Sequence, residues 1–159
     1  VVTRDNAIAI DPSVRCTGRA RFRGGALIEV SIHLARNLPE AVAIPALHGP
    51  AVSSYPYVIE FPRAYSATRS KADPNDLLAV AAVAGAWAAR GAAAGPVRFV
   101  APSEWKGQTP KAVCAARVRA ALEPAERATL DAALAEMTTH LHHNALDAVG
   151  IGLFHFGRM

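Results

Sequence analysis

The chain has 159 residues, a formal net charge of +4, a pI near 9.5 and 52% apolar residues. That composition excludes a disordered or low-complexity protein, and the length suits one domain over 1–159 with a sizeable core. Two distant cysteines, Cys16 and Cys114, exclude a disulfide framework, and the longest uncharged apolar run, Leu77 to Ala89, is thirteen residues, too short to span a bilayer.

Arg4 and Asp5 precede no long apolar run, so no signal peptide is expected, and the expected setting is a reducing cytoplasm. The mild positive charge suits a polyanionic partner without identifying one. Of the 17 basic residues fourteen are arginine, and two of the three lysines, Lys106 and Lys111, fall in the short run Trp105 to Lys111. Retained lysines supply compact point charges with mobile donors.

After a frayed stretch from Val1 to Asn6, Ala7 to Ile10 reads as a first strand, stopped at Asp11-Pro12. Arg19 to Arg23 alternates with period two and predicts a strand with a basic face. Gly24-Gly25 is a hairpin signal and Ala26 to His33 a third strand, completing an antiparallel meander. Arg36 to Tyr55 is broken by Pro39, Pro45 and Pro50 and predicts a loop with one short helical turn near Glu40 to Ile44. Tyr57 to Glu60 predicts a strand buried on both faces, and Phe61 to Ala72 a basic loop.

Asp73-Pro74 supplies a cap and a first-turn proline for a helix to Arg90, ended by Gly91. This helix is apolar nearly all round and needs cover on two sides: the sheet on one, a second subunit or its own chain on the other. Ala81, Ala82 and Gly85 would permit close approach. Val97 to Val100 predicts another strand. Thr109-Pro110 opens a helix to about Leu122, Pro124 one to about Met137, and His143 or Asn144 a last helix to about Phe156. The fold class is α/β, a mixed sheet of a three-strand antiparallel meander plus parallel strands, flanked by helices.

Two of the strands end in an acid, Asp11 after Ile10 and Glu60 after Ile59. If these strands are adjacent and parallel, both carboxylates emerge at the edge where open α/β sheets bind ligands. The last helix can carry Asp147 across that edge, with Asn144 and His143 three and four positions earlier on the same face. Three converging carboxylates repel one another unless a divalent cation holds them, and hard oxygen donors favour Mg²⁺ or Mn²⁺ over zinc. Two ions bridged by Asp11 would make a phosphoryl-transfer site. Each residue also has a plain structural role open to it: Asp-Pro forms ordinary turns, and Asn144 can cap the last helix. His140, His142 and His143 are irregularly spaced with no cysteine nearby, and read as a solvated loop rather than a zinc cluster.

Ile10-Asp11-Pro12 with Arg15, Thr17 and Gly18 closely resembles the opening motif of RuvC-type Holliday-junction resolvases. The resemblance continues through Val58-Ile59-Glu60, Lys106, Lys111 and Asn144-Ala145-Leu146-Asp147-Ala148, and so spans nearly the whole chain. The Trp105-to-Lys111 loop and the ending Asp147 to Gly152 are most similar to the phage-type branch. The resemblance implies a ribonuclease H-like fold, with metal-binding acids at Asp11, Glu60 and Asp147. It implies catalytic or scissile-phosphate contacts from Lys106 and Lys111, and an aromatic wedge for which Tyr65 is the nearest candidate. Two features depart from the family. Its usual fourth acid or histidine, three residues before Asp147, is Asn144 here; either Asn144 or His143 is a weaker ligand, or the site is inactivated. The proline-broken segment from Arg36 also leaves little room for the family's usual helix.

The expected function is therefore a homodimeric endonuclease that uses two Mg²⁺ or Mn²⁺ ions per site and resolves four-way DNA junctions by paired symmetric nicks. The expected setting is the cytoplasm of a bacterial or phage-infected cell. A junction needs two matched cuts, and a two-fold dimer supplies the second site. Arg15, Arg63, Arg69 and Lys71 lie in loops near the acids and can track phosphates without reading bases. Two readings compete: another ribonuclease H-like nuclease acting on RNA–DNA hybrid or branched DNA, and a catalytically silent junction-binding protein.

Overall fold

A computed structural model describes residues 6–48, 55–64 and 73–159. Of the expected frayed end from Val1 to Asn6, only Asn6 is described, and its side chain accepts from the Gly24 N–H at 3.0 Å; most of the basic loop, at 65–72, lies outside the described residues. Strands β1 (Ala7–Asp11), β2 (Cys16–Arg23) and β3 (Ala26–Leu34) are followed by α1 (Leu38–Leu47), β4 (Tyr57–Glu60), α2 (Pro74–Ala92) and β5 (Val97–Val100). The rest is helical: α3 (Pro102–Trp105), α4 (Lys111–Ala121), α5 (Pro124–Ala135), a 3-10 turn (Thr139–Leu141) and α6 (His142–His155).

The strands form one sheet in the order β3-β2-β1-β4-β5. β1, β2 and β3 pair antiparallel, while β1–β4 and β4–β5 pair parallel. The meander and the buried β4 are those predicted from the sequence, and the parallel β1–β4 pair meets the condition under which Asp11 and Glu60 emerge at one edge.

The two faces of the sheet bury different cores. Ile8 and Ile10 of β1 and Tyr57 and Ile59 of β4 pack with Val83, Ala84 and Trp87 of α2 and Ala41 of α1. Ala7, Ala9, Ala20, Phe22 and Val58 face the opposite way, toward α4, α5 and α6. Side chains alternate along a strand, so parity places Asp11 with Ala9, and Glu60 with Val58, on the α6 face.

That face is lined with small residues, and α6 comes down onto it. Gly18 sits opposite Asp11 in the β1–β2 register, and a Cβ on Gly18 would stand 2.1 Å from the backbone oxygen of Asn144. Farther along, Gly152 makes room for the ring of Phe22, whose Cε2 would lie 2.1 Å from an added Cβ.

The structure corrects several expected boundaries. The proline-broken segment holds a ten-residue helix, α1, rather than a loop with one turn. Asn37 caps it by accepting from the Glu40 N–H at 3.0 Å, and Glu40 reaches back to the Arg36 N–H at 2.9 Å. Pro39 falls in the first turn, where a missing N–H costs nothing, and Pro45 is buried. The cap and the apolar contact outweigh the ladder bond lost at Pro45. α2 has the expected Asp73 cap, with the Asn75 N–H donating at 2.8 Å, but runs past Gly91. Gly91 is kept for packing, not termination: an added Cβ would lie 2.6 Å from Cγ of Tyr57. α4 is capped at Pro110 without a side-chain bond, so Thr109 is not its cap. α6 starts at His142, which places Asn144 within its first turn instead of at its cap.

A buried ion pair ties the C-terminus to the rest. Glu126 accepts from the Leu27 N–H at 2.7 Å and the Glu123 N–H at 2.8 Å, and from Arg158 at 2.6 and 2.8 Å. The Arg158 guanidinium first, with the two backbone donors, holds the Glu126 carboxyl down to about 2 against the effect of burial. A carboxyl depressed in the folded state stabilises fully above its ordinary pKa, and that stability is lost as pH falls through the folded value. Thermal melts should therefore show the parent losing stability between about pH 4.5 and 2. Glu126→Gln should cost about 3 kcal/mol at neutral pH and flatten that slope; a variant curve parallel to the parent's would refute the assignment.

Candidate active site

Asp11 lies at the carboxyl end of β1, and the tight turn after it is held by Thr17. The Thr17 hydroxyl donates to the Ser13 carbonyl at 3.1 Å and accepts from the Ser13 N–H at 3.2 Å. Asp11 is buried, and the Asn144 amide donates to its Oδ2 at 3.4 Å across the β1–α6 contact. Burial first, then the charges of Glu60 and Asp147, push the Asp11 carboxyl well above its usual range; Lys106 and Asn144 pull the other way. The acids at 11, 60 and 147 thus share one electrostatic cluster.

The cation in that cluster is Lys106. Its Nζ stands 3.2 Å from Glu60 Oε2 and 2.9 Å from Asp147 Oδ2. Burial lowers the lysine pKa, but the two carboxylates more than offset it, so the ammonium is held protonated. α3 delivers this side chain. Glu104 accepts from the Ala101 N–H at 2.5 Å to start the helix, and the N–H groups of Lys106 and Gly107 close it on the Pro102 carbonyl. Gly107, at φ 56°, then turns the chain away, a backbone shape glycine adopts freely.

The residue before Lys106 also belongs to the cluster. Trp105 donates its indole N–H to Glu60 Oε2 at 2.6 Å, and its ring lies 4.7 Å from the Lys106 ammonium. Sequence reasoning passed over α3 and treated Trp105 only as part of a loop. The available signal was Pro102 at a first helical position with an acid two residues on.

Among the described residues, no other expected site residue makes a hydrogen bond or ion pair to this cluster beyond the Asn144–Asp11 bond. Lys111 is exposed at the start of α4 and makes no ion pair among the described residues. His143 is exposed on α6 beside the buried Asn144, and no described hydrogen bond links it to the acids. His140 is exposed, while His142 Nε2 donates to the carbonyls of Leu134 at 3.0 Å and Met137 at 3.2 Å. Arg15, in the turn after β1, donates to the Arg36 carbonyl and so braces the loop. Arg63 is exposed three residues after Glu60. Tyr65, Arg69 and Lys71 lie outside the described residues.

Among the described residues, no three His, Cys, Asp or Glu side chains stand ready-spaced around a metal position; Lys106 bridges two of the acids instead. The donor set nevertheless fits a hard divalent cation in kind: three carboxylates and an amide, gathered at one sheet edge around the strongly proton-retaining Asp11.

A mixed five-stranded sheet whose second and third strands from one edge run antiparallel, with the site at the ends of β1 and β4, is a ribonuclease H-like architecture. Among solved structures the chain is similar to Thermus thermophilus RuvC, with 17% identity over 97% of this chain and 96% of that one and a TM-score of 0.58. It is also similar to T. thermophilus RuvC in complex with a Holliday junction substrate, with 17% identity, coverage of 97% and 95%, and a TM-score of 0.56. The yeast mitochondrial Holliday junction resolvase Ydc2 matches with 12% identity, coverage of 99% and 82%, and a TM-score of 0.51. These likenesses show a shared fold of RuvC type. No protein-family model matches the chain, and no curated protein sequence does. No helix among the described residues is long and apolar enough to cross a membrane.

Gly18→Ala should force α6 away from β2 at the point where Asn144 meets Asp11. The expected loss is about 1–3 kcal/mol, read from urea denaturation. Gly24→Ala serves as comparison: it meets no neighbour within 4 Å but has φ 58°, so only backbone strain should appear there. Equal stability of Gly18→Ala and the parent would contradict the close contact.

Proposed function

We propose that the chain is a divalent-metal-dependent endonuclease that resolves four-way DNA junctions by paired symmetric nicks. The observation that carries this reading is the meeting of Asp11, Glu60 and Asp147 around Lys106, at the carboxyl ends of two adjacent parallel strands. The fold shared with RuvC and Ydc2 supports it, since one of those structures holds a Holliday junction substrate.

Asp11, Glu60 and Asp147 would hold two Mg²⁺ or Mn²⁺ ions, with the Asn144 amide oxygen as a neutral fourth donor. When bound, such ions supply an activated water and neutralise charge on the leaving oxygen. The protein's own part is positioning and charge. Asp11 sits at the buried end of the cluster, where Asn144 orients it. Lys106, held protonated, offers a compact cation to a scissile phosphate as the acids take up metal. Lys111 and Arg63, exposed close in sequence to Lys106 and Glu60, and Arg15 would contact phosphates, with Tyr65, Arg69 and Lys71 as further DNA contacts expected from the sequence.

The test incubates labelled four-way junctions with protein in Mg²⁺ and in Mn²⁺. Asp11→Asn should abolish cleavage while leaving gel-shift affinity in place. Lys106→Ala should slow single-turnover cleavage about 10²-fold with a smaller effect on binding. Retained cleavage by Asp11→Asn would overturn the site, and preferential cleavage of RNA–DNA hybrids would redirect the substrate.

One observation favours a second reading. The position of the family's fourth acid holds the buried Asn144, which gives Asp11 a donor rather than a charge. Tight junction binding without cleavage in either metal would identify a junction-binding protein; cleavage gained by Asn144→Asp would then trace the silence to this residue.

The proposed dimer uses α2. Val83 lies wholly in the chain's own core, so the outer face is elsewhere: Leu78, 69% exposed, with Ala82, Gly85 and Ala89 along one exposed stripe. A junction with two-fold related cuts is matched by a two-fold pair of sites. Ala82→Arg should shift sedimentation velocity from dimer to monomer without changing the melting temperature. A parent that already sediments as a monomer at micromolar concentration would end the dimer proposal.

A further inference from the structure

We propose that Trp105 is a positioning residue of the acid cluster, holding Glu60 by one carboxylate oxygen and seating the Lys106 ammonium on its ring. The inference rests on the nuclease reading for what the cluster does, but its geometry stands apart from that reading.

Trp105 donates to Glu60 Oε2 at 2.6 Å, and the same oxygen faces Lys106 Nζ at 3.2 Å. Among the described residues Glu60 Oε1 accepts no hydrogen bond, so the Trp105 donor and the Lys106 cation both gather on Oε2, and no described donor competes with a ligand for Oε1. An indole N–H has a single direction and cannot rotate away from the ring plane. Fixing the ring therefore fixes the carboxylate.

The ring is fixed by α6 and α4. A Cβ on Gly150 would lie 2.5 Å from Cζ3 and 3.1 Å from Cη2 of Trp105, and 3.0 Å from Cγ2 of Val118. Gly150 is three residues after Asp147, so the notch that seats the indole lies on the helix that carries the third acid. Trp105 is 7% exposed, and Lys106 lies 4.7 Å over its ring on the way to Asp147. One rigid side chain thereby sets the spacing between an acid on β4 and an acid on α6. Removing a group that orients a metal ligand costs 10–100-fold in affinity or rate in other proteins.

Trp105→Phe in the full chain keeps an aromatic ring and removes the N–H. Mn²⁺ binding is measured by isothermal titration calorimetry without DNA, single-turnover junction cleavage across Mn²⁺ concentrations, and stability by urea denaturation. The variant should raise the Mn²⁺ dissociation constant about 10-fold and shift the cleavage curve to higher Mn²⁺, with junction affinity in gel shifts unchanged. Benzothienylalanine at position 105, which has the indole's shape without its N–H, should do the same and covers the case where phenylalanine folds poorly. Parental Mn²⁺ affinity in a folded N–H-less variant overturns the proposal, as does a parent that binds no Mn²⁺. Weakened Mn²⁺ binding in a protein that never cuts junctions would uphold the positioning role while ending the resolvase reading. Cleavage by the parent with Trp105→Phe unaffected would do the reverse.

Discussion

A helix can lie against a sheet at backbone distance only where the sheet offers no side chains to hold it off. β1 and β2 meet that condition with Ala7, Ala9, Gly18 and Ala20 on the α6 side, and α6 answers with Gly152, which leaves room for the Phe22 ring of β2. The larger residues of β1, Ile8 and Ile10, point the other way, into the α1–α2 layer. Everything in the acid cluster follows from this asymmetry. With Gly18 directly across from Asp11, the first turn of α6 comes low enough for Asn144 to reach that carboxylate, and Asp147 arrives one turn later.

Such closeness has an electrostatic cost that other residues offset. Asp11 is buried beside two further carboxylates, and burial first, then the charges of Glu60 and Asp147, make it resist ionisation. Lys106 spreads one positive charge between two of them, Trp105 adds a neutral donor, and Asn144 supplies an amide where a fourth acid would worsen the repulsion. The two lysines of the short loop therefore have different standing: Lys106 is part of the folded cluster, whereas Lys111 is a solvated charge at a helix start.

Much of this was legible in the sequence because it rests on local patterns. The apolar runs ending in Asp11 and Glu60, the Gly24-Gly25 hairpin and the Asp73-Pro74 cap each carry their meaning within a few residues. Parity along β1 and β4 then aims both acids at one face, and the i, i+3 spacing pairs Asn144 with Asp147. What escaped depended on distant partners. α1 forms through two prolines because Asn37 and Glu40 cap it and Ala41 and Pro45 are buried. Gly91 looked like a stop signal and is a seat for Tyr57. Trp105 gains its place from Glu60 and Gly150, both more than forty residues away in the chain, and Arg158 finds Glu126 with no motif to announce it. The histidines near α6 also depended on context: His142, expected in a solvated loop, starts α6 and donates to backbone carbonyls, while His143, named with Asn144 as a candidate ligand, is exposed.

The protein has two tryptophans, and the sheet separates them. Trp87 is enclosed in the α1–α2 layer beside the rings of His33 and His48, at 5.5 and 5.4 Å, while Trp105 belongs to the α6 layer under a lysine ammonium. Each side of the molecule thus carries its own fluorophore, with a different neighbour able to quench it. Emission from the two indoles divides the optical signal of the chain between its layers, so that loosening of one face can be watched while the other stays dark to the change.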